Sequence, residues 1–251
     1  TPGNGILELR QAIIKKLKED NGLDYTVNEV TTAVGAKQAI ASAMMVIAGP
    51  GDEVLLPIPC WVSYTEMIRL AGATPVFVPV RKDDNGLDLD AIQAAITPRT
   101  KAIIICTPNN PTGAVYSEES LRGLAELAVK HDFFIVADEI YEKMVYDGAK
   151  HFSVASISRE VWERTITVNG FSKAYAMTGW RIGYAAAQAD VIKGIMAVQS
   201  QTTSATSAIS QKAALAALQG SQHDMQVMVE EFKRRKDYVV QRLNAIEGIT
   251  C

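Results

Sequence analysis

Short apolar runs alternate with helix-patterned segments along most of this 251-residue chain, and no other feature constrains its fold as strongly. The runs are "EVLLPIP" (53–59), "TPVFVPV" (74–80), "KAIIICTP" (101–108), "FFIVADE" (133–139), "TITVNGF" (165–171) and "RIGYAAA" (181–187). They mostly lack apolar–polar alternation, as strands covered on both faces do. Between them lie "WVSYTEMIRLAG", "DLDAIQAAI" and "YSEESLRGLAELAVKHD". In the last of these, Ser117 stands as the expected N-cap, acids fill the first turn, and Lys130 and His131 the final one. This rhythm predicts an α/β fold: a three-layer α/β/α sandwich with a mainly parallel sheet and right-handed crossovers. Residues 188–247 read as wholly helical. There Met225, Met228, Val229, Phe232, Val239, Leu243 and Ile246 recur at helical spacing and predict one long C-terminal amphipathic helix.

The formal net charge is -3, so no global field recruits nucleic acid or an anionic membrane. The apolar stretch Ala39–Ala48 is too short to span a bilayer. Cys60, Cys106 and Cys251 lie far apart with no C-x-x-C pair, and are expected to be free thiols in a reducing, cytoplasmic setting. The chain opens on Thr1 and stops at Cys251. Both ends read as cut, so a fragment of a longer protein is expected.

In a wound α/β sheet, ligands bind outside the carboxyl ends of the strands. The residues there are Gly35-Ala36-Lys37 after "VTTAV", Cys60-Trp61, Asn109-Asn110, Asp138 with Tyr141, and Ser172-Lys173, all expected on one rim. Lys173 and Arg181 stand eight positions apart (181 minus 173) among small, apolar and hydroxyl residues. A desolvated lysine is freed to form a Schiff base, and an arginine fork suits a phosphate. A surface lysine and a structural arginine would equally explain the pair. Asp138 closes a strongly apolar strand. It reads as a helix cap or ion-pair partner, or as the fixed anion that keeps a heterocyclic nitrogen protonated.

Tyr141 and Asn110 are candidate donors to a ring oxygen, against the ordinary roles of half-buried aromatic and turn opener. Trp61 could stack on a planar ring or pack in the core. Gly35, Ala36 and Lys37 sit where a strand gives way to a helix, a place where backbone N–H groups bind phosphate; for Lys37 the backbone counts rather than the ammonium. Taken together, an amine, a ring-nitrogen partner, a phosphate cradle with an arginine, a stacking aromatic and two ring-oxygen donors describe a site for pyridoxal 5'-phosphate. The three histidines are scattered, which disfavours a His-rich metal site, and G-x-S-x-G, G-x-x-x-x-G-K-[ST] and G-x-G-x-x-G are all missing.

The stretches "VGAKQAI", "GDEVLLPIPCWVSY", "TPNNPTGAVY", "VADEIYE" and "NGFSKAYAMTGWRIGY" occur in this order across most of the chain. At these residues the sequence resembles class I aminotransferases of pyridoxal-phosphate fold type I, in the aspartate aminotransferase-like group. The resemblance implies that Lys173 captures the cofactor aldehyde and then moves the proton. It implies that Asp138 pairs with the pyridine nitrogen, that Tyr141 and Asn110 donate to the ring hydroxyl oxygen, and that Trp61 stacks on the ring. Gly35, Ala36, Lys37, Ser172 and Arg181 would hold the phosphate. Gly170 departs from the pattern, standing where many relatives carry a phosphate-contacting serine. Also implied are amino acid and 2-oxo acid substrates, a homodimer, a cofactor-binding large domain at residues 1–220, and a helix at 221–251 leading toward a small domain. The alternatives are a pyridoxal-phosphate-binding sensing domain from a transcription regulator, or a fragment that binds cofactor without catalysis.

Overall fold

The computed structural model describes residues 1–251. Seven strands form one sheet: β1 (Val30–Ala33), β2 (Glu53–Ile58), β3 (Thr74–Pro79), β4 (Thr100–Cys106), β5 (Phe134–Asp138), β6 (Thr165–Gly170) and β7 (Gly183–Ala186). Their order across the sheet is β1-β7-β6-β5-β4-β2-β3. The β2–β3, β2–β4, β4–β5 and β5–β6 pairs are parallel, whereas β7 runs antiparallel to both neighbours. All six apolar runs contain strands, and "VTTAV" supplies the seventh.

The absence of alternation in these runs follows from burial on both faces. In β4, Ala102, Ile104 and Cys106 enter one core while Ile103 and Ile105 enter another. The first core is packed by α2 (Ala36–Ile47), α3 (Ser63–Leu70) and α7 (Ala189–Thr202). The second lies under α4 (Leu89–Ala95), α5 (Glu118–His131) and α6 (Arg159–Arg164). On that same side a third core joins α1 (Leu7–Asn21) and α8 (Ala208–Gln219) to β1 and β7. The result is the three-layer α/β/α arrangement.

Local chemistry sets the helix ends. Ser117 accepts a hydrogen bond from the Ser120 N–H at 3.1 Å and caps α5, and Asp88 caps α4 through Ala91 N–H at 2.9 Å. Such caps each contribute about 1 kcal/mol.

The C-terminal region departs from the expectation of unbroken helix. It is divided into α7, α8 and α9 (His223–Asn244), with breaks at residues 203–207 and 220–222. Ser204 adopts a positive φ of 62° in the first break, and Thr206 Oγ1 meets Thr32 Oγ1 at 3.2 Å, tying the break to β1. Of the stripe foreseen for α9, only Met225 is buried; Phe232 and Val239 are exposed, and Ile246 lies beyond the helix. No helix is long and apolar enough to cross a membrane.

Candidate functional site

The topology gathers the rim. Strands β2, β4, β5 and β6 run parallel, and β1 shares their direction because both β1 and β6 oppose β7. Their carboxyl ends therefore meet at one edge, where β7 begins. The chain just before β7 carries Arg181 to that edge. A cavity of about 240 Å³ opens there. Ala36, Lys37, Trp61, Asn110 and Asp138 line it, as do Tyr141, Ser172, Lys173 and Arg181. Gly35 stands immediately behind Arg181.

One end of the cavity is built from the start of α2. Its first-turn N–H groups have no intrahelical partner. Gly35 precedes them with φ 82°, and a Cβ placed on it would lie 2.4 Å from Arg181 Nη2. Glycine is required here both for the backbone angle and for the guanidinium's approach. Arg181 is fixed by donating through Nη1 to Thr178 O at 2.8 Å. Gly183, on β7, clears the opposite side, since a Cβ there would lie 2.6 Å from the Ala36 nitrogen. A basic fork beside free helix N–H groups attracts a doubly charged oxyanion.

Trp61 forms a wall, with Tyr64 set edge-on to it at 5.4 Å between centroids and 89° between planes. The Lys37 ammonium lies 4.8 Å from the Trp61 ring centroid. Beyond the backbone expected to contribute at Lys37, its side chain also reaches the cavity, held over the indole face by cation–π attraction.

At the floor, Asp138 is 3% exposed. Its Oδ2 accepts a 2.6 Å hydrogen bond from the Tyr64 hydroxyl, and its Oδ1 accepts from Ile140 N–H at 3.2 Å. Burial pushes the carboxyl up to about 6, against the lowering effect of those hydrogen bonds and of the Lys173 charge. A carboxylate with that desolvation cost is completed by a cationic partner. Asn110 Nδ2 lies 3.5 Å from the Tyr141 hydroxyl, and Lys173 Nζ sits 5.5 Å from the Tyr141 ring centroid.

Tyr64, Ile140, Thr178 and Gly183 touch this constellation without having been singled out from the sequence. Tyr64 stands three residues after Trp61, but as an aromatic on an amphipathic helix it carries a pure core signal. Only the fold shows that its hydroxyl meets a residue 74 positions away.

Comparison with known proteins follows the same lines. The family model for "Aminotransferase class I and II" matches residues 1–251. An aspartate aminotransferase of Pinus pinaster is 47% identical over 255 residues, covering 99% of this chain and 52% of the relative. One from Bacillus sp. (strain YM-2) is 46% identical, covering 99% of this chain and 64% of the relative. The aspartate aminotransferase structure from Rhizobium meliloti superposes with a TM-score of 0.97 at 43% identity, covering 100% of this chain and 63% of that one. An aromatic aminotransferase structure from Pyrococcus horikoshii gives 0.95 at 40% identity, covering 98% and 66%. The chain thus spans about half to two thirds of the length of the relatives it matches. Whole-chain agreement of sequence and fold places this protein in the class I and II aminotransferases, a pyridoxal-phosphate-dependent family, with the large-domain architecture of fold type I.

Proposed function

We propose that residues 1–220 form the cofactor-binding large domain of an aminotransferase, and that residues 221–251 lead toward a smaller domain. The proposed reaction moves an amino group between an amino acid and a 2-oxo acid. Aspartate is the first amino acid to test, because several relatives carry the name aspartate aminotransferase. One observation carries the reading: an amine without a salt-bridge partner, Lys173, and a buried carboxyl without one, Asp138, line the same cavity.

The donor set fits pyridoxal 5'-phosphate. The α2 start with Arg181 and Ser172 would take the phosphate, and Trp61 the ring face. Asn110 and Tyr141 would take the ring oxygen, and Asp138 the ring nitrogen. When bound, the cofactor supplies an aldehyde that captures amines and a ring that accepts electrons. Asp138, ionised at neutral pH with its pKa near 6, would hold a proton on the ring nitrogen. Lys173, which lines the cavity, would hold the aldehyde end of the cofactor. Once free, it would be the base that takes the proton from the substrate Cα and delivers it to the cofactor's aldehyde carbon. Arg181 and the α2 amides keep the cofactor fixed while Lys173 is free. The homodimer belongs to this reading, with Val62 just before α3, Leu70 at its end and Phe77 on β3 exposed as apolar surface for a second copy. So does a cytoplasmic setting, which suits the three free cysteines.

The test uses ¹⁵N-labelled L-amino acids, aspartate first, with unlabelled 2-oxo acids. Label transfer well above that given by free pyridoxal phosphate is expected; no transfer with any pair would overturn the assignment.

A further inference from the structure

The segment "DEIYE" presents two chemical faces from one turn. Asp138 and Tyr141 line the cavity, whereas Glu139 and Glu142 point into a buried ionic network behind it. Each pair is spaced three residues apart and the two are offset by one. Backbone bonds from Glu142 N to Glu139 O at 2.9 Å and from Met144 N to Tyr141 O at 2.7 Å close the turn. The Glu139 N–H still bonds Val168 O at 2.8 Å, so sheet alternation continues past β5 and sends Asp138 and Glu139 to opposite sides.

The network is dense. Ser153 Oγ donates to Glu139 Oε2 at 2.8 Å, and His151 Nε2 lies 3.2 Å from the same oxygen. The Asn21 side-chain amide, at the end of α1, lies 2.8 Å from Glu142 Oε2 and 3.3 Å from Glu139 Oε2. Lys16 forms an ion pair with Glu142 and donates to Asn21 Oδ1 at 2.7 Å. Outside it, Lys143 donates to Asp20 at 2.8 Å. Glu139 is 1% exposed and Glu142 8%. Two buried carboxylates are costly unless fully satisfied, and a satisfied network is rigid. Both oxygens of Glu142 are taken by Lys16 and Asn21, and Glu139 Oε2 is shared by Asn21, Ser153 and His151, so the group acts as a clamp.

We propose that Glu139 and Glu142, gripped by Asn21 and Lys16 of α1, are positioning residues that hold the turn so that Asp138 and Tyr141 keep their places in the cavity. None of the four lines the cavity. The inference rests on the functional roles proposed for Asp138 and Tyr141, but its structural half can be tested without cofactor.

The experiment compares the wild type with Asn21→Ala, Glu142→Gln and, as a control for general destabilisation, Asp88→Ala, which removes the α4 cap. In cofactor-free protein, the ¹³C carboxyl resonance of Asp138 is titrated, assigned by its loss in Asp138→Asn. In parallel, pyridoxal phosphate affinity is read from absorbance. The clamp predicts that Asn21→Ala lets water reach Asp138, so that its midpoint falls from about 6 toward the ordinary carboxylate range. Affinity should fall roughly tenfold, as expected for the loss of one well-placed polar contact. Asp88→Ala should lower the melting temperature and change neither readout. If Asn21→Ala fails to fold, the shape-preserving Glu142→Gln carries the same two readouts. An unmoved midpoint with unchanged affinity in a folded variant overturns the proposal, even if the melting temperature drops. A wild type that binds no pyridoxal phosphate would defeat the functional reading instead, while the midpoint would still decide the clamp.

Discussion

Gly183 and Ala36 approach so closely that any side chain on the first would press on the amide of the second: a Cβ at Gly183 would lie 2.6 Å from Ala36 N. That amide opens α2 and belongs to the proposed phosphate cradle. Gly183→Ala is therefore expected to shift the cradle. Pyridoxal phosphate affinity should fall by about tenfold or more, and stability by about 1–3 kcal/mol from overpacking. Isothermal titration with pyridoxal phosphate and with unphosphorylated pyridoxal separates the effects. Only the phosphorylated ligand should weaken, and equal losses for both would place the damage elsewhere.

Tyr64 gives a second prediction. Its hydroxyl donates to Asp138 at 2.6 Å and favours the ionised carboxylate. Tyr64→Phe keeps the ring edge against Trp61 but removes the donor. The Asp138 midpoint should then rise above about 6, by about one pH unit for a charge-assisted hydrogen bond. A ¹³C titration of the variant reads this directly, and a midpoint that stays put or falls contradicts the role.

A third prediction concerns pH. Burial pushes the His151 imidazolium down, but the hydrogen bond and charge of Glu139, with the charge of Glu142, outweigh burial and the repulsion of Lys16, and the pKa is raised above 6.5. A group whose folded pKa is raised stabilises the fold fully below its unfolded value and loses that contribution as pH rises through the folded value. Denaturant unfolding of wild type and His151→Gln should thus differ most below pH 6.5 and converge at higher pH. A gap that widens with pH would contradict the charged partnership.

These residues also mark how far the sequence reaches. The strands were legible because two-sided burial writes unbroken apolar runs, and the α5 start because Ser117 caps it through a residue three positions away. Lys173, Asp138 and Asn110 were legible as candidates because strand ends in a wound sheet point to one rim, and Arg181 because it follows Lys173 among small, apolar and hydroxyl residues. Tyr64 and Gly183 were not, since their partners are fixed only by packing of distant segments. The breaks between α7, α8 and α9 were missed for a related reason. No proline interrupts residues 188–247, yet the Ser/Thr-rich stretch at 203–207 bonds to β1 and leaves the helix. The second face of "DEIYE" was hidden because Asn21 and Lys16 reach it from the far end of the chain.

The most direct test of the central claim is borohydride reduction of the purified chain with pyridoxal phosphate, followed by mass mapping of the modified lysine. The account predicts one phosphopyridoxyl adduct, on Lys173, lost in Lys173→Ala together with the cofactor's long-wavelength absorbance. Adducts scattered over surface lysines, or an unaltered band in Lys173→Ala, would contradict it.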